Sequence, residues 1–380
     1  MTVLLDTVTG QPKVREYLRT LTANNAVSHA YLFCGPAGSG KTVAAYALAQ
    51  AFLCEQGGCG TCDDCMRVAR RSHPDVHAYA PEGAAGYLVD QIRGIVSDVS
   101  LAPVRAKRKV YILDRVDLLG HAAANAFLKT LEEPPDATLM ILLARTRESV
   151  LPTILSRCQV VPFRHVPASE AAGIVAQRTG VDAVRARIAV EACNGSIDRA
   201  EQFCRSSEQQ AFRREVVQAM GQLRCADSWD LLKCSARLVE AAKAPLDEVR
   251  VQMDAQLQEN AQYLARAAVR QIEAQNKRTL TARAALSLQQ LCSIAASWVR
   301  DVMMICEESP QLVVNRDADL ALQDAAAATN AARCARALAC IQSCQQALAY
   351  NVSPQTCLDA LLLELKEVLY DPDCSGTSCI

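Results

Sequence analysis

Two kinds of hydrophobic pattern divide this chain of 380 residues. Up to about residue 163, short continuous apolar runs alternate with segments in which apolar residues recur at helical spacing. Continuous runs are typical of strands covered on both faces, and such strands interleaved with helices predict a parallel α/β sheet. The predicted strands are Ala30–Cys34, Val110–Asp114, Thr138–Ala144 and Gln159–Phe163.

The pattern changes after about Pro167, where the continuous apolar runs disappear. Residues 169 to 205 contain two or three short helical patterns, interrupted near Gly180 and at CNGS, residues 193–196. Residues 208 to 370 are rich in Ala, Leu, Gln and Arg, and their apolar positions keep helical spacing, which predicts a bundle of long helices. We therefore expect three parts and a tail: residues 1–165, 166–207, 208–370 and 371–380.

Composition excludes several classes of protein. The 40 Lys and Arg residues against 41 Asp and Glu give a net charge of -1, which argues against coating nucleic acid by charge alone. No apolar run reaches the roughly 18 residues of a membrane span. The N-terminal sequence MTVLLDTVTGQPK lacks a basic segment followed by an apolar core, so we expect a cytoplasmic protein whose 18 cysteines stay reduced.

The sequence GPAGSGKT, residues 35–42, matches the phosphate-binding motif G-x-x-x-x-G-K-[ST] between a predicted strand and a predicted helix. Backbone N–H groups of such a loop surround phosphate oxygens, and the helix N-terminus adds partial positive charge. A chance glycine-rich turn is the weaker interpretation of a complete motif. Candidate ligands of ATP or ADP with Mg²⁺ are Gly35, Pro36, Ala37, Gly38, Ser39, Gly40, Lys41, which would reach the outer phosphates, and Thr42, which would bind the metal.

Asp114 ends the second predicted strand, where it is the expected partner of that Mg²⁺. The alternative is an aspartate that caps the following helix. The next residue is Arg115, in a position where a hydrolytic P-loop protein usually has the acid that prepares water for attack. Arginine stays protonated and accepts no hydrogen bond, so the sequence predicts a site that binds nucleotide and hydrolyses it poorly.

Four cysteines, Cys54, Cys59, Cys62 and Cys65, follow the spacing C-x4-C-x2-C-x2-C, with glycines between them that let the chain fold around an ion. Thiolates this close in a reducing compartment favour a tetrahedral, structural Zn²⁺ site. A redox pair and an iron–sulfur centre are the alternatives, but no His base or open ligand position is evident nearby. The expected role of the metal is to hold an insertion to the sheet.

Arg157 lies in the tripeptide SRC, residues 156–158, just before the last predicted strand. It would project from the edge of the sheet, where it could reach a nucleotide bound by a neighbouring subunit and act in trans as an arginine finger. Without further context, a solvated or salt-bridged arginine is the simpler interpretation.

Two basic runs, RAKRK at residues 105–109 and RVARR at 67–71, raise the question of DNA binding. Neither run contains aromatic residues, and solvated loops or helix faces are the simpler interpretation. With so little net charge, we expect phosphate contacts to come from an assembled complex rather than from this chain alone.

Together these residues resemble the clamp-loader branch of the AAA+ ATPases, over about the first 165 residues. The matching segments, in the order of that family, are SHAYLFCGPAGSGKT (28–42), the four-cysteine insertion, VDQIR (89–93), KVYILDRVDLL (109–119), AANAFLKTLEEPP (123–135) and LPTILSRC (151–158). The resemblance implies an AAA+ P-loop domain, a small helical lid domain and a C-terminal helical collar through which subunits form an open ring. Implied partners are gamma/tau and delta subunits at the collar, the sliding clamp, and primed DNA indirectly, with no membrane.

Three departures bear on the type of subunit. The family's ATP-hydrolysing motor normally has Asp-Glu where this chain has Asp114 and Arg115, and a Thr-Thr pair where it has Arg145 and Thr146. A lid arginine expected in a GS-x-R setting is replaced by Asp198. These differences favour a non-motor subunit that lends Arg157 to its neighbour and holds a nucleotide with negligible turnover.

Two other functions stay open at this point. One is a gamma/tau-type motor in which Asp117 or Glu132 replaces the missing acid. The other is a scaffold protein that retained the AAA+ fold and lost its place in replication.

Overall fold

The computed structural model describes residues 3–24, 26–82, 86–135, 137–261, 266–349 and 352–371. They form two compact units: the sheet unit comprises Met1–Ile174 and Gly195–Asp198, and the helical unit comprises Val175–Asn194 and Arg199–Ile380. The expected boundary between a lid and a collar at residue 207 stays a prediction. Of the expected tail, only Asp371 lies within the described residues.

Five parallel strands in the order β2-β3-β4-β1-β5 form the centre of the sheet unit. Every residue of β1, β3 and β4 is buried, as continuous apolar runs predict. The sequence pattern missed β2, because this edge strand has the sequence VHAY and is only partly buried. The strands are β1 (Ala30–Cys34), β2 (Val76–Tyr79), β3 (Lys109–Leu113), β4 (Thr138–Ala144) and β5 (Gln159–Pro162).

Helices cover both faces of this sheet. On one face, alternate strand residues such as Phe33 and Ile141 pack against Leu18 and Leu48 of the first two helices. On the other face, Leu32 and Met140 belong to a second core with Phe127. The helices are α1 (Pro12–Ala23), α2 (Lys41–Leu53), α3 (Asp63–Ala69), α4 (Val89–Val99), α5 (His121–Glu132), α6 (Pro152–Leu155) and α7 (Ala168–Thr179), whose residues are divided between the units. The predicted α/β class with a parallel sheet is confirmed.

The helical unit contains the predicted long helices. Trp298 of α12 is fully buried, and α12 packs against α11 and α14. The remaining helices are α8 (Ala183–Ala192), α9 (Ile197–Arg205), α10 (Ser207–Gln222), α11 (Ser228–Ala261), α12 (Arg266–Cys306), α13 (Asp319–Ala326), α14 (Ala331–Ala349) and α15 (Pro354–Tyr370). Among the described residues, none of the helices has the length and hydropathy of a membrane span.

A buried polar cluster fixes the segment that follows α12. Asp301 is fully buried and accepts hydrogen bonds from the backbone N–H groups of Val314 at 2.9 Å and Asn315 at 2.7 Å. The Asn315 side-chain amide donates to the same carboxylate at 2.8 Å, and Arg300 pairs with it at 3.0 Å. Arg213 of α10, itself buried, donates to the Asn315 side chain at 2.8 Å. The cluster thereby connects α10 and α12 through one segment.

Replacing Asp301 with alanine should destabilise the helical unit. Three donors and the Arg300 charge would lose their buried acceptor, and breaking such a cluster costs about 3 kcal/mol or more. We expect Asp301→Ala to lower the free energy of unfolding in urea by about that amount, measured by circular dichroism. The control is Asp324→Ala, an exposed aspartate whose loss should cost less than about 0.5 kcal/mol. Equal effects of the two variants would contradict this account.

Candidate nucleotide and metal sites

The phosphate-binding loop, residues 35–42, joins the end of β1 to the start of α2. Gly38 and Gly40 have φ angles of 76° and 85°, a left-handed conformation that favours glycine. A Cβ atom on Gly35 would lie 2.5 Å from the carbonyl oxygen of Phe163, so only glycine fits against the chain end of β5. The loop therefore has the backbone that a phosphate cradle requires.

Lys41 lies inside this loop, at the first residue of α2. Its Nζ donates to the carbonyl oxygens of Gly35 at 2.5 Å and Pro36 at 2.7 Å. Burial lowers the pKa of Lys41, and the negative charge of Asp114 acts in the opposite direction. The predicted phosphate ligand and the predicted metal ligand are thus close enough to influence each other.

Asp114 follows β3 directly, at the same edge of the sheet as the loop. Its backbone is held on both sides, because its N–H donates to the Tyr79 carbonyl at 2.8 Å and its carbonyl accepts from the Tyr87 hydroxyl at 2.6 Å. Desolvation in the cleft raises the pKa of Asp114, whereas the backbone N–H and charge of Arg115 and the charge of Lys41 lower it. The structure therefore brings Asp114 and Lys41 together at the carboxyl ends of β1 and β3.

Arg115, beside Asp114, has a left-handed backbone with φ 54° and ψ 45°. Its Nε donates to Asp117 at 3.0 Å, and the Asp117 side chain is only 7% exposed. Asp117 and Glu132 were the two carboxylates that could replace the missing acid. Asp117 is paired with Arg115, and Glu132 is paired with Arg157.

Arg145 adds a further positive charge at this edge. Ala144 ends β4 beside Cys34, and its carbonyl accepts the Gly35 N–H at 3.2 Å, so Arg145 follows at the entrance of the phosphate-binding loop. The Arg145 side chain is exposed, and within the described part of the chain it has no ion pair. Its charge contributes, after burial, to the lowered pKa of Lys41. From the sequence, Arg145 was recognised only as a departure from a family pattern.

Arg157 lies in the turn between α6 and β5. Its Nε donates to the Glu132 carboxylate at 2.7 Å, and a terminal nitrogen contacts the same oxygen. Its other terminal nitrogen donates to the Thr153 carbonyl at 2.8 Å and to the Ser156 hydroxyl at 3.1 Å. Within this chain Arg157 is thus salt-bridged, and its action on a neighbouring subunit stays a prediction.

The four cysteines form a compact cluster at the end of α2 and the start of α3. All four Sγ atoms lie within 4.8 Å of one another, and Cys54 is 3.7 Å from both Cys59 and Cys62. Four sulfurs around Zn²⁺ at about 2.3 Å would be about 3.8 Å apart, so these separations fit a tetrahedral ion. Backbone N–H groups of Thr61 and Cys62 lower the pKa of Cys59 to about 6, whereas burial raises the pKa of Cys65, so the sulfur separations rather than the pKa values support a metal site.

The basic run 105–109 is attached to this cysteine insertion. Arg105 pairs with Asp63 at 2.6 Å and Asp64 at 2.8 Å, both in the first turn of α3. Lys107 pairs with Glu55 at 2.8 Å, one residue after Cys54. These cations therefore have partners within the chain and are not a free basic surface.

Asp75 holds the backbone of the same segment. This fully buried carboxylate accepts hydrogen bonds from the N–H groups of Val104 at 2.6 Å, Arg105 at 2.9 Å and Ala106 at 2.7 Å. Its own N–H donates to the His73 ring at 3.1 Å. No sequence pattern indicated this role, because the donors lie about 30 residues from the carboxylate.

The other basic run, residues 67–71, also has internal contacts. Arg67 pairs with Asp63 at 2.8 Å, and the Arg71 guanidinium lies 4.9 Å from the centre of the Tyr46 ring. Most cations of the two runs thus have partners within the chain, largely in exposed ion pairs.

A complete phosphate-binding loop at the edge of a β2-β3-β4-β1-β5 parallel sheet, with a four-cysteine insertion after its helix, is the arrangement of an α/β P-loop domain. The family model described as DNA polymerase III, delta subunit, matches residues 10–167. Over these residues the chain is therefore similar to the clamp-loader subunits of DNA polymerase III.

The individual relatives include both delta' and tau subunits, at similar sequence identity. They therefore do not show which type of subunit this chain resembles more. The chain is 38% identical over 157 residues to DNA polymerase III subunit delta' of Bacillus subtilis, which covers 40% of this chain and 47% of the relative. It is also 38% identical over 170 residues to subunit tau of the same organism, covering 44% and 30% of the two chains. The chain therefore spans less than half the length of these curated relatives.

A solved structure of a DNA polymerase III gamma subunit-related protein from Thermotoga maritima aligns with 92% of this chain and 98% of its own. The identity is 19% and the TM-score is 0.44.

Proposed function

We propose that this chain is a non-motor, delta-prime-type subunit of the replicative clamp loader. It holds a nucleotide that it hydrolyses poorly, and it lends Arg157 to ATP bound by a neighbouring subunit. The observation that carries the proposal is the Arg115–Asp117 ion pair, which stands where a motor would keep a free carboxylate.

The nucleotide would be held by the residues of the phosphate-binding loop. Backbone N–H groups of residues 35–42 would surround the phosphates, Lys41 would neutralise their charge, and the Thr42 hydroxyl with Asp114 would bind Mg²⁺. Bound ATP supplies a γ-phosphoryl group whose transfer needs an oriented water. The chain's own residues would position the phosphates without providing that water's base.

The engagement of Asp117 explains why turnover would be slow. A carboxylate already paired with an arginine has a fixed orientation and its oxygens are engaged, so it is poorly placed to orient and deprotonate a water molecule. This applies to Asp117, held by Arg115, whereas Glu132 is held by Arg157 only while that arginine stays within its own chain. Asp117 is thus engaged in a lasting ion pair, and the proposal depends on this pair rather than on the one between Glu132 and Arg157.

The rest of the chain would serve assembly. The helical unit would act as the collar that joins gamma/tau and delta subunits, and the ring so formed would load the sliding clamp on primed DNA. The cysteine cluster would hold a structural Zn²⁺, because its sulfur separations fit a closed tetrahedral site.

The purified chain provides the test of this proposal. We expect it to bind ATP and to release phosphate far more slowly than the roughly 1 per second of an ordinary ATPase. Lys41→Ala should weaken ATP binding by about 100-fold, because a charge-assisted contact to phosphate is lost. Lys129→Ala, at an exposed lysine of α5, is the matched control and should leave binding unchanged. Steady phosphate release over many cycles at about 1 per second would favour the motor-type subunit instead.

A further inference from the structure

We propose that the nucleotide site of this chain binds its ligand without needing Mg²⁺, because Arg145 and Arg115 supply positive charge that the metal provides elsewhere. This inference rests on the proposed nucleotide binding and extends it to the charge requirement of the site.

The charged side chains that interact with Lys41 and Asp114 at this edge of the sheet carry a net positive charge together with these two residues. Lys41, Arg115 and Arg145 are cations, and Asp114 and Asp117 are the acids that act on the same lysine. The cations exceed the acids by one charge. With an acid in place of Arg115 and a neutral threonine in place of Arg145, the acids would exceed the cations by two, and a divalent metal would be needed to attract phosphates.

The two arginines contribute in different ways. Arg115 is turned to Asp117 at 3.0 Å and neutralises that carboxylate, which leaves Asp114 as the acid opposite Lys41. Arg145 has no such partner among the described residues, so its charge stays available to a ligand. Arg115 neutralises the negative charge of Asp117, and Arg145 adds a positive charge. Both effects reduce the electrostatic repulsion between the site and the phosphates of a nucleotide.

The position of Arg145 is fixed by the sheet rather than by a long loop. Residues 30–34 of β1 and 140–144 of β4 are paired in register, and the Gly35 N–H is bound to the Ala144 carbonyl at 3.2 Å. The two chains therefore leave the sheet side by side, one as the phosphate-binding loop and the other as Arg145. A guanidinium at this entrance can donate two parallel hydrogen bonds to phosphate oxygens. It could therefore neutralise phosphate charge without a metal ion.

The test measures the affinity of the full chain for a non-hydrolysable ATP analogue, AMP-PNP, by calorimetry in MgCl₂ and in EDTA. In the native chain we expect the dissociation constant to change by less than about threefold on removing Mg²⁺, because the cations of the site carry the attraction. In the Arg145→Thr variant we expect the dissociation constant for AMP-PNP to be about tenfold higher or more than in the native chain when both are measured in EDTA. In MgCl₂ the difference between the two chains should be much smaller. Arg145→Lys should recover part of the binding in EDTA, and Arg93→Thr, an exposed arginine of α4, should resemble the native chain.

Loss of native binding in EDTA by tenfold or more would overturn the inference while leaving nucleotide binding itself intact. So would an Arg145→Thr variant that binds as tightly as the native chain in EDTA. Absence of binding in both buffers would overturn the proposed nucleotide binding and this inference together, and that result is distinct from dependence on Mg²⁺. Because the analogue is not hydrolysed, the outcome does not depend on whether the chain is a motor.

Discussion

ATP hydrolysis at the site facing this chain is expected to fall by about 10³-fold when Arg157 is replaced by alanine. An arginine finger neutralises charge that develops on the γ-phosphate oxygens, and removing it costs at least that factor in known phosphoryl-transfer sites. Arg157→Lys should restore little, since an ammonium group cannot make the two parallel contacts of a guanidinium. The measurement is single-turnover phosphate release by this chain assembled with a gamma/tau-type subunit.

The hydrogen bonds of Arg157 decide whether it can leave its own chain for this task. Four of its contacts are internal, two of them to Glu132, whose side chain is about half exposed. Exposed ion pairs contribute only about 0 to 1 kcal/mol. A phosphate with several negative charges in a desolvated interface is a stronger partner, so the exchange from Glu132 to phosphate is favourable on assembly.

Two control variants distinguish an arginine that acts on a neighbouring nucleotide from one that only stabilises its own chain. Arg164→Ala removes another partly exposed arginine of the sheet unit that is paired with a glutamate, Glu170 at 2.6 Å, and should leave the rate unchanged. Lys41→Ala should also leave most of the assembly's hydrolysis, because in this proposal the chain's own nucleotide is not turned over. If Arg157→Ala left the rate within threefold of the native assembly, the proposed role in trans would be wrong.

The parts of the fold that could be predicted are those with local signals. Strands β1, β3 and β4 are buried on both faces, so their sequences are continuous apolar runs apart from the first residues of β3 and β4, Lys109 and Thr138. The cysteine cluster was predictable because its ligands lie within 12 residues of each other and glycines separate them. Strand β2 carried no such signal, since an edge strand needs only partial burial.

The contacts that give the candidate site its charge could not be predicted, because they depend on backbone conformation and on distant residues. Arg115 reaches Asp117 only through a left-handed residue conformation that its sequence does not favour. Glu132 meets Arg157 from 25 positions away. Arg145 lies beside the phosphate-binding loop because β1 and β4 are neighbours, although more than 100 residues separate them in the chain.

Metal removal is expected to unfold the cysteine insertion while the sheet remains folded. Helix α3 has seven residues, and a helix this short is not stable by itself. Its buried side chains are Cys65 and Val68, and burying one valine contributes only about 1.5 to 3 kcal/mol. Structural Zn²⁺ contributes roughly 10 to 16 kcal/mol in small zinc-binding peptides, so the ion rather than packing would hold α3 in place.

Limited proteolysis with trypsin measures the unfolding of the cysteine insertion, because the α3 segment contains arginines at which trypsin cleaves. Without metal, trypsin should cut after Arg67 and Arg70 of the released α3 segment at least about 100-fold faster, since cleavage follows the population of the open form. Cleavage after Arg93 in α4 serves as the control within the same chain, because Ile92 and Ile95 keep that helix on the sheet. A colorimetric chelator should report one Zn²⁺ released per chain.

The basic run 105–109 distinguishes unfolding of the insertion from unfolding of the whole unit. Arg105 would lose Asp63 and Asp64 together with α3, but the three backbone hydrogen bonds to buried Asp75 do not involve the metal. We therefore expect cleavage after Arg105 to stay slow in the metal-free chain and to become fast only when Asp75→Asn is added. If the metal-free chain resisted trypsin at Arg67 as well, the ion pairs of Arg105 and packing of Val68 would suffice to hold the insertion, and a structural metal would not be needed there.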